Sequence, residues 1–416
     1  MTESALPPRY DRSFPDEGQL APPWSSTGAR VTAVHTTVTA PEGVNLVIVR
    51  VVTDRPGLSG LGCATFAYRA TAVARIIDDY LGPRLVGRAV EDITDIVAGL
   101  RWGPYWRDGP IGNTAVAGID MALWDLKARA AGVPVWSLLG GRLRTSVPAY
   151  STAYGRNVQD LVPRLQQRIA NGDSRFRVVL AEAEQPGRTA PEPDTYISST
   201  VMVLDQLRQH VADTADFVVD VHGFLPPGKA LQLAAALEPL RPLFLEDAVA
   251  VEDLAWLPEL RRHTSLPLAV GELFTSVGQC LPLIADRTVD YLRCHLSAIG
   301  GFTAGVRLAA AAELFGVRCA WHGPLDLSPI GHAANLALDV ASPAFGLHEH
   351  TEPSAQTAAM FPGAPQLSGG AIAVPELPGW GVEFDEQLAT RFPPVAADRL
   401  SGLEGGRRPD GSLHNP

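Results

Sequence analysis

Three carboxylates stand near the ends of three apolar runs at one spacing: Asp220 in FVVDVH, Glu246 in LFLED and Glu272 in LAVGE, each 26 residues after the one before. A strand, a helix and the return loop together occupy about 25–35 residues, so this repeat predicts equivalent positions on consecutive strands of a parallel sheet. In a closed barrel the carboxyl ends of such strands open on one face. Three acids gathered there would repel one another unless a hard divalent cation lay between them, and an all-oxygen ligand set of this kind suits Mg2+. Any one of the three alone reads equally well as a cap for the following helix. Three in phase favour the metal.

His222 stands two residues beyond Asp220, on the same side of an extended segment. An imidazole among acids can exchange a proton near neutral pH, which suits a general acid or base. In RFRVVL, from residue 175, Arg175, Arg177 and Val179 share one face, and one of them is expected to point into the barrel mouth, with Arg177 the candidate for the site. A guanidinium there can bind a carboxylate through two hydrogen bonds or hold down the pKa of a neighbouring phenol. AWHGPLDLSP contributes His322 and Asp326, and FGLHEH contributes Glu349 between His348 and His350. These positions at strand ends are where substrate hydroxyls would be read. The chain has no GxSxG elbow, no Walker loop and no GxGxxG opening a βα unit.

The elements that must carry these residues alternate from about residue 146. Strand signals begin at VPAYST (147), RFRVVL (175), FVVDVH (217), LFLED (243), LAVGE (268), VDYLRCHL (289), RCAWHG (318) and FGLHE (345). Amphipathic runs such as LVPRLQQRIANG, KALQLAAALEPL and GVRLAAAAELFG lie between them. Eight strands with no comparable helix after the last predict an α/β fold, a modified TIM barrel of the (β/α)7β kind. Residues 29–53 alternate as antiparallel strands do, whereas 70–86 and 112–131 read as helices, which makes a small α+β domain in front of the barrel. In the second helix Val116, Ile119, Leu123 and Leu126 recur at helical spacing. The expected division is an N-terminal arm over 1–26, an α+β capping domain over 27–145, the barrel over 146–365, and a segment over 366–416 that returns to the cap.

The composition fits a large barrel plus a smaller domain: 416 residues, 46% hydrophobic and 19% charged. No apolar stretch is long enough for a membrane span, and the first residues, with acids and prolines, do not resemble a signal peptide. The expected location is the cytoplasm. A net charge of −11 argues against nucleic acid as a partner. Cys63, Cys280, Cys294 and Cys319 have no CxxC spacing and are expected to be reduced and buried. The expected partner is a small carboxylate substrate, with a homo-oligomer as the expected assembly.

These motifs resemble the enolase superfamily of the mandelate racemase and muconate lactonizing enzyme type, and within it the mannonate dehydratase family of sugar-acid dehydratases. GPYWRDGP, IDMALWDLKARA, SLLGG, DVHGFL, LEDAV, LAVGELF, IGGFT, WHGPLDLSP and FGLHE occur in that family's order and spacing. The resemblance implies a cap over a (β/α)7β barrel, Mg2+ on Asp220, Glu246 and Glu272, and His222 as the acid that assists departure of hydroxide. It implies abstraction of the proton α to a carboxylate, with the enediolate stabilised by the metal. It further implies substrate contacts at His322, Asp326 and Glu349, with Trp106 of GPYWRDGP and Thr152 of the first barrel strand as further substrate-binding positions.

The chain departs from that family's pattern in its substrate-reading parts. Arg177 matches the expected arginine, but its companion tyrosine is missing from the loop AEAEQPGRTAPEPD (181–194), and Tyr196 is a weak substitute at the start of a helix. Ala67 replaces an expected asparagine, Thr152 an expected histidine, and His414 an expected tryptophan. A KxK pair on the second strand is absent, and the sixth, YLRCHLS, offers no acid for a His–Asp dyad, which weakens racemase and cycloisomerase readings. The base is thereby open between Arg177 with a recruited tyrosine and His322. Two readings of function remain: a Mg2+-dependent dehydratase of a sugar acid or related hydroxy acid with little mannonate activity, or a protein that keeps fold and metal but only binds or regulates. Exchange of a substrate's α-proton with solvent separates them.

Overall fold

The computed structural model describes residues 28–103, 105–180, 192–211 and 214–396. Three antiparallel strands, β1 (Val31–Thr39), β2 (Leu46–Thr53) and β3 (Ser59–Cys63), lie in sequence order as one sheet. Helices α1 (Ala70–Ile76), α2 (Ile93–Trp102) and α3 (Pro110–Ala131) complete the cap. Val116, Ile119, Leu123 and Leu126 are buried on α3 as their spacing predicts. The helix is buried on its other faces too, because it lies between the cap sheet and the barrel. Gly62 fits this sandwich by necessity, since a Cβ there would stand 1.9 Å from the Gly118 carbonyl oxygen. Short β3 and α2 have little periodicity of their own, and the sequence reading does not foresee them.

The barrel strands follow: β4 (Ser146–Gly155), β5 (Arg175–Leu180), β6 (Asp216–Asp220), β7 (Phe244–Glu246), β8 (Leu268–Val270), β9 (Tyr291–Leu292), β10 (Arg318–Cys319) and β11 (His348–His350). Between them run α4 (Val158–Ala170), α5 (Pro193–Val211), α6 (Pro227–Leu237), α7 (Leu257–His263), α8 (Val277–Ala285), α9 (Phe302–Phe315) and α10 (Pro329–Ala341). Each strand pairs in parallel with the next from β4 to β10. The circle closes through β11, which pairs with β4, and through a parallel bridge from Cys319 to Phe345. This is a (β/α)7β barrel, α/β in class, under an α+β cap. Its interior is filled by Tyr150, Val218, Phe244, Ala269, Ala320 and Leu347, all buried, so it is a packed core with no channel. All four cysteines are free and buried. No helix among the described residues is long and apolar enough to cross a membrane.

After β11 the chain makes a short helix, α11 (Ala355–Met360), a hairpin of β12 (Leu367–Ser368) and β13 (Ala371–Ala373) set antiparallel against the start of β4, and α12 (Glu386–Ala389). The return to the cap is direct. Buried Asp125 on α3 accepts from the Leu61 N–H (2.8 Å), the Trp380 N–H (2.8 Å) and Arg129 Nε (2.7 Å), and the Trp380 indole donates to the Leu61 carbonyl (2.9 Å). One carboxylate thus ties cap strand, cap helix and tail together. Burial raises the Asp125 pKa to about 6, although Arg129 and the two amide donors oppose that rise. Residues 1–27, 181–191 and 397–416, with most of the tyrosine-free loop and His414, lie outside the described residues.

Replacing Asp125 with alanine strands two buried N–H groups and one guanidinium, and losing one partner of a buried charged network typically costs about 3–5 kcal/mol. Urea unfolding of Asp125→Ala is expected to show a loss of that size. A change under about 1 kcal/mol would mean that the tail is held elsewhere.

Candidate active site

Parallel pairing sets Asp220 of β6 directly beside Glu246 of β7, as their spacing predicts. Glu272 departs from it. The register partner of Glu246 on β8 is Ala269, so Glu272 comes three residues further on, beyond the strand. Gly271, at φ +132°, turns the chain to bring it back. A side chain at 271 would also crowd Cys294 Sγ at 3.1 Å. Glu272 thereby approaches Asp220 in one group of acids and Glu246 in another, but no group within 4.8 Å among the described residues holds all three, and equal spacing in sequence does not make their positions equivalent on the strands.

Candidate ligand atoms of Asp220, His222 and Glu272 lie within 4.8 Å of one another, and so do those of Glu246, Asp247 and Glu272. Asp247 is an addition to the predicted set. It sits at φ +39°, with Oδ1 accepting from the Gly271 N–H at 3.2 Å. Burial first, and then the charges of Glu272 and Asp220, push its pKa up to about 7. Glu246 is raised well above the ordinary range by burial, with Asp220, Asp247 and Glu349 adding to the rise and Arg293 opposing it.

Arg293, two residues beyond Tyr291 on the sixth barrel strand, is fully buried at the centre of the site. Its Nε donates to Glu246 Oε1 (2.7 Å), Nη2 to Glu349 Oε2 (2.7 Å) and Nη1 to the Ala320 carbonyl (2.8 Å). Glu349 also accepts from the Gly323 N–H at 2.7 Å. Against the cost of burial, Arg293 holds Glu349 well below the usual carboxylate range. The glutamate expected to read substrate hydroxyls thus has one oxygen committed to Arg293 and Gly323. Arg177 donates to Asp220 Oδ2 at 2.8 Å, and its buried Nε has no acceptor. Burial lowers the Arg177 pKa, but Glu349 and Asp220 more than offset this, so the group is more firmly protonated than an ordinary arginine.

His222 adopts φ +54° and places Nε2 3.0 Å from Asp220 Oδ2. Burial alone would lower its pKa, but the bond to Asp220 and the charges of Asp220 and Glu272 raise it to about 9. His322 is 7% exposed, with Nε2 3.8 Å from Glu272 Oε2. Burial takes it down to about 4. The sixth strand supplies it with a neighbour the motifs do not reveal: His295 Nδ1 lies 3.2 Å from His322 Nδ1. The signal was in YLRCHLS, where Arg293 and His295 alternate along the strand.

Asp326 is partly buried and close enough for its charge to act on His295, His322 and Tyr68. Tyr68, next to the departure at Ala67, belongs to the cap. Its phenol is raised by burial and then by Asp326 and Glu272, so a cap residue lies within electrostatic reach of these two acids. Thr152 is the register partner of Arg177. Trp106 is 86% exposed, its ring edge-on to Tyr105, and makes no contact with the acid cluster among the described residues. Tyr196 donates its hydroxyl to the Asp220 carbonyl at 3.3 Å, and burial together with Asp220 raises the phenol far above its ordinary value. It is not placed to serve as the missing base.

A divalent cation fits this centre. Glu246 Oε2 is buried without a hydrogen-bond partner. Among the described residues the carboxyl groups of Asp220, Glu246, Asp247, Glu272 and Glu349 gather around three cationic groups, Arg177, Arg293 and the His222 imidazolium, so acids outnumber cations five to three. Carboxylate oxygens without thiolates suit a hard ion.

Comparison with known proteins identifies the family to which this fold belongs. Residues 21–140 match the mandelate racemase/muconate lactonizing enzyme N-terminal domain, and residues 167–388 match the family described as enolase C-terminal domain-like. A D-galactonate dehydratase family member from Catenulispora acidiphila is 42% identical, over 96% of each chain. Another, from Pantoea ananatis, is 39% identical over 93% of this chain and 99% of its own. The crystal structure of an enolase from Pantoea ananatis with bound D-gluconate and Mg superposes with a TM-score of 0.86 at 38% identity, covering 94% of this chain and all of that one. A mandelate racemase/muconate lactonizing enzyme from Jannaschia gives 0.80 at 26% identity, covering 88% of this chain and 98% of that one. The relatives bear the galactonate rather than the mannonate name that the motifs suggest. With this coverage and identity, the chain belongs to the D-galactonate dehydratase family, in the enolase superfamily of the mandelate racemase/muconate lactonizing enzyme type.

Proposed function

We propose that the protein is a Mg2+-dependent dehydratase of a sugar acid or a closely related hydroxy acid. The observation that carries this reading is the surplus of buried carboxylate at the barrel mouth, with a histidine from β6 and another from β10 beside it. Family membership and the gluconate-bound neighbour support it. Asp220, Glu246 and Glu272 would hold the ion, with Asp247 close by. Once bound, Mg2+ would stabilise the negative charge that develops on the substrate carboxylate when its α-proton leaves.

The remaining roles fall to the chain's own groups. His322, neutral at pH 7, takes the α-proton on Nε2. Arg177 cannot take it, being firmly protonated, and its free Nε–H instead donates to an anionic substrate oxygen. His222, protonated at pH 7, gives its proton to the β-hydroxyl as the C–O bond breaks, so that water departs and the enol becomes the 2-keto-3-deoxy acid. Asp220 orients the His222 ring. This reading assigns Tyr68, Thr152 and Asp326 to the distal hydroxyls of the substrate. The domain boundaries at 26, 145 and 365, and the homo-oligomer, belong to the same reading.

Incubation of the Mg2+-loaded protein with D-gluconate, D-galactonate and D-mannonate is expected to yield 2-keto-3-deoxy product from at least one acid, with loss of turnover in EDTA. No product from any sugar acid in a wider panel of aldonic and uronic acids would overturn the reading. His222→Asn is expected to lower dehydration by about a hundredfold or more while Mg2+ binding measured by calorimetry stays close to wild type. Unchanged turnover would move the acid role elsewhere.

Activity on D-mannonate is expected to be weak. Ala67 and Thr152 replace side chains that would pair with sugar hydroxyls, and a site that leaves such groups unpaired can discriminate by about 10⁴-fold. A kcat/KM on D-mannonate of about 10⁴ M⁻¹s⁻¹ or higher, ordinary for a dedicated enzyme, would contradict this.

A further inference from the structure

The sixth barrel strand ends without a carboxylate, yet the histidine at its end is directly paired. His295 and His322, from neighbouring strand ends, meet Nδ1 to Nδ1 at 3.2 Å, with ring centroids 5.4 Å apart. Two imidazole nitrogens at that distance share one proton: two N–H groups would clash and two lone pairs would repel. One ring must donate and the other accept. No other hydrogen bond to a ring nitrogen of either histidine is present among the described residues, so this contact sets both tautomers.

We propose that His295 is the positioning residue of the base, accepting a hydrogen bond from His322 Nδ1–H and thereby leaving the His322 Nε2 lone pair bare toward the acid cluster. The inference rests on the dehydratase reading for its consequence, because a base at His322 requires a bare Nε2. The geometry itself shows that the two rings share one proton, and His322 as its donor follows from the base role. If His295 donated instead, the His322 proton would sit on Nε2. There it would face Glu272 Oε2 at 3.8 Å, beyond hydrogen-bond reach, and could not receive the α-proton.

The neutral partner has a chemical consequence. When His322 Nε2 takes the α-proton, the C–H electron pair stays with the substrate and an imidazolium forms. A carboxylate behind that ring would stabilise the new positive charge, whereas an imidazole provides the same direction with less charge. His295 therefore fixes orientation and tautomer, at the cost of a slower proton abstraction than an acid would support. The Oδ1 atom of asparagine or aspartate occupies nearly the same place along the side chain as histidine Nδ1, so both can accept from His322, and leucine cannot.

Two measurements test the assignment. In the full-length wild-type protein, nitrogen NMR of labelled histidines at neutral pH, assigned through His295→Asn and His322→Asn, is expected to give a protonated Nδ1 on His322 and an unprotonated Nδ1 on His295. The reverse pattern overturns the proposal whether or not the protein is active. In D2O with Mg2+ and D-gluconate, D-galactonate or D-mannonate as probe, His295→Leu is expected to slow α-proton exchange by about a hundredfold or more with KM and melting temperature close to wild type. His295→Asn is expected to retain most exchange and His295→Asp to equal or exceed wild type. Exchange in His295→Leu at the wild-type rate, or asparagine and aspartate variants as slow as leucine at wild-type melting temperature, would overturn the role. The predicted tautomers in a wild-type protein that exchanges no α-proton would sustain the pairing and count against the dehydratase reading instead.

Discussion

Arg293 holds together a centre that would otherwise push itself apart. It is wholly buried inside the barrel, bonds Glu246 on one side and Glu349 on the other, and gives a further donor to the Ala320 carbonyl. The rings of Tyr150 and Phe244 lie 5.5 and 5.9 Å from its guanidinium. A buried guanidinium with this many partners can be stable only if all of them stay in place, since removing one leaves an uncompensated charge in a dry environment. Glu246 is thereby fixed with one oxygen on Arg293 and the other unpartnered, and Glu349 is held ionised.

The same constraint explains why the site remains anionic. Arg177 and Arg293 offset part of the carboxylate charge, and His222 adds a third positive group. Burial first, and then the mutual repulsion of the carboxylates, drives Asp247 up to about 7 and Glu246 and Glu272 upward as well. A dication meets that surplus without protonation. The two histidines also diverge for physical reasons. His222 is hydrogen-bonded to a carboxylate, whereas His322 is buried against another neutral ring. Two groups of the same chemistry are thereby suited to opposite halves of a proton transfer.

Much of this was legible in the chain. Short apolar runs alternating with amphipathic ones identify all eight barrel strands, and apolar periodicity identifies α3, α4, α6 and α9. The acids at 220 and 246 could be placed in register because their strands pair without interruption. Glu272 could be placed near them but not in its actual position, because Gly271 turns the backbone out of the ladder, a tertiary effect that spacing does not record. Arg293 and His295 are not legible in the sequence for a related reason: the sixth strand has only two residues in regular pairing, and both lie just beyond them. Asp247, adjacent in sequence to a predicted ligand, points into the site only because its backbone takes a positive φ. Tyr68 contributes through the packing of cap on barrel, which no local pattern encodes. Trp106 shows the converse, an expected substrate contact that stands exposed.

The central claim is that the carboxylates at the barrel mouth are preorganised around one divalent ion while Arg293 keeps hold of Glu246. A crystal of the protein soaked with Mn2+ in place of Mg2+, measured for anomalous scattering, tests it most directly. The account predicts one strong peak, about 2.0–2.2 Å from oxygens of Asp220, Glu246 and Glu272, with Arg293 still on the second oxygen of Glu246. A peak that excludes Glu246, or no peak with these acids paired only to arginine, would contradict it.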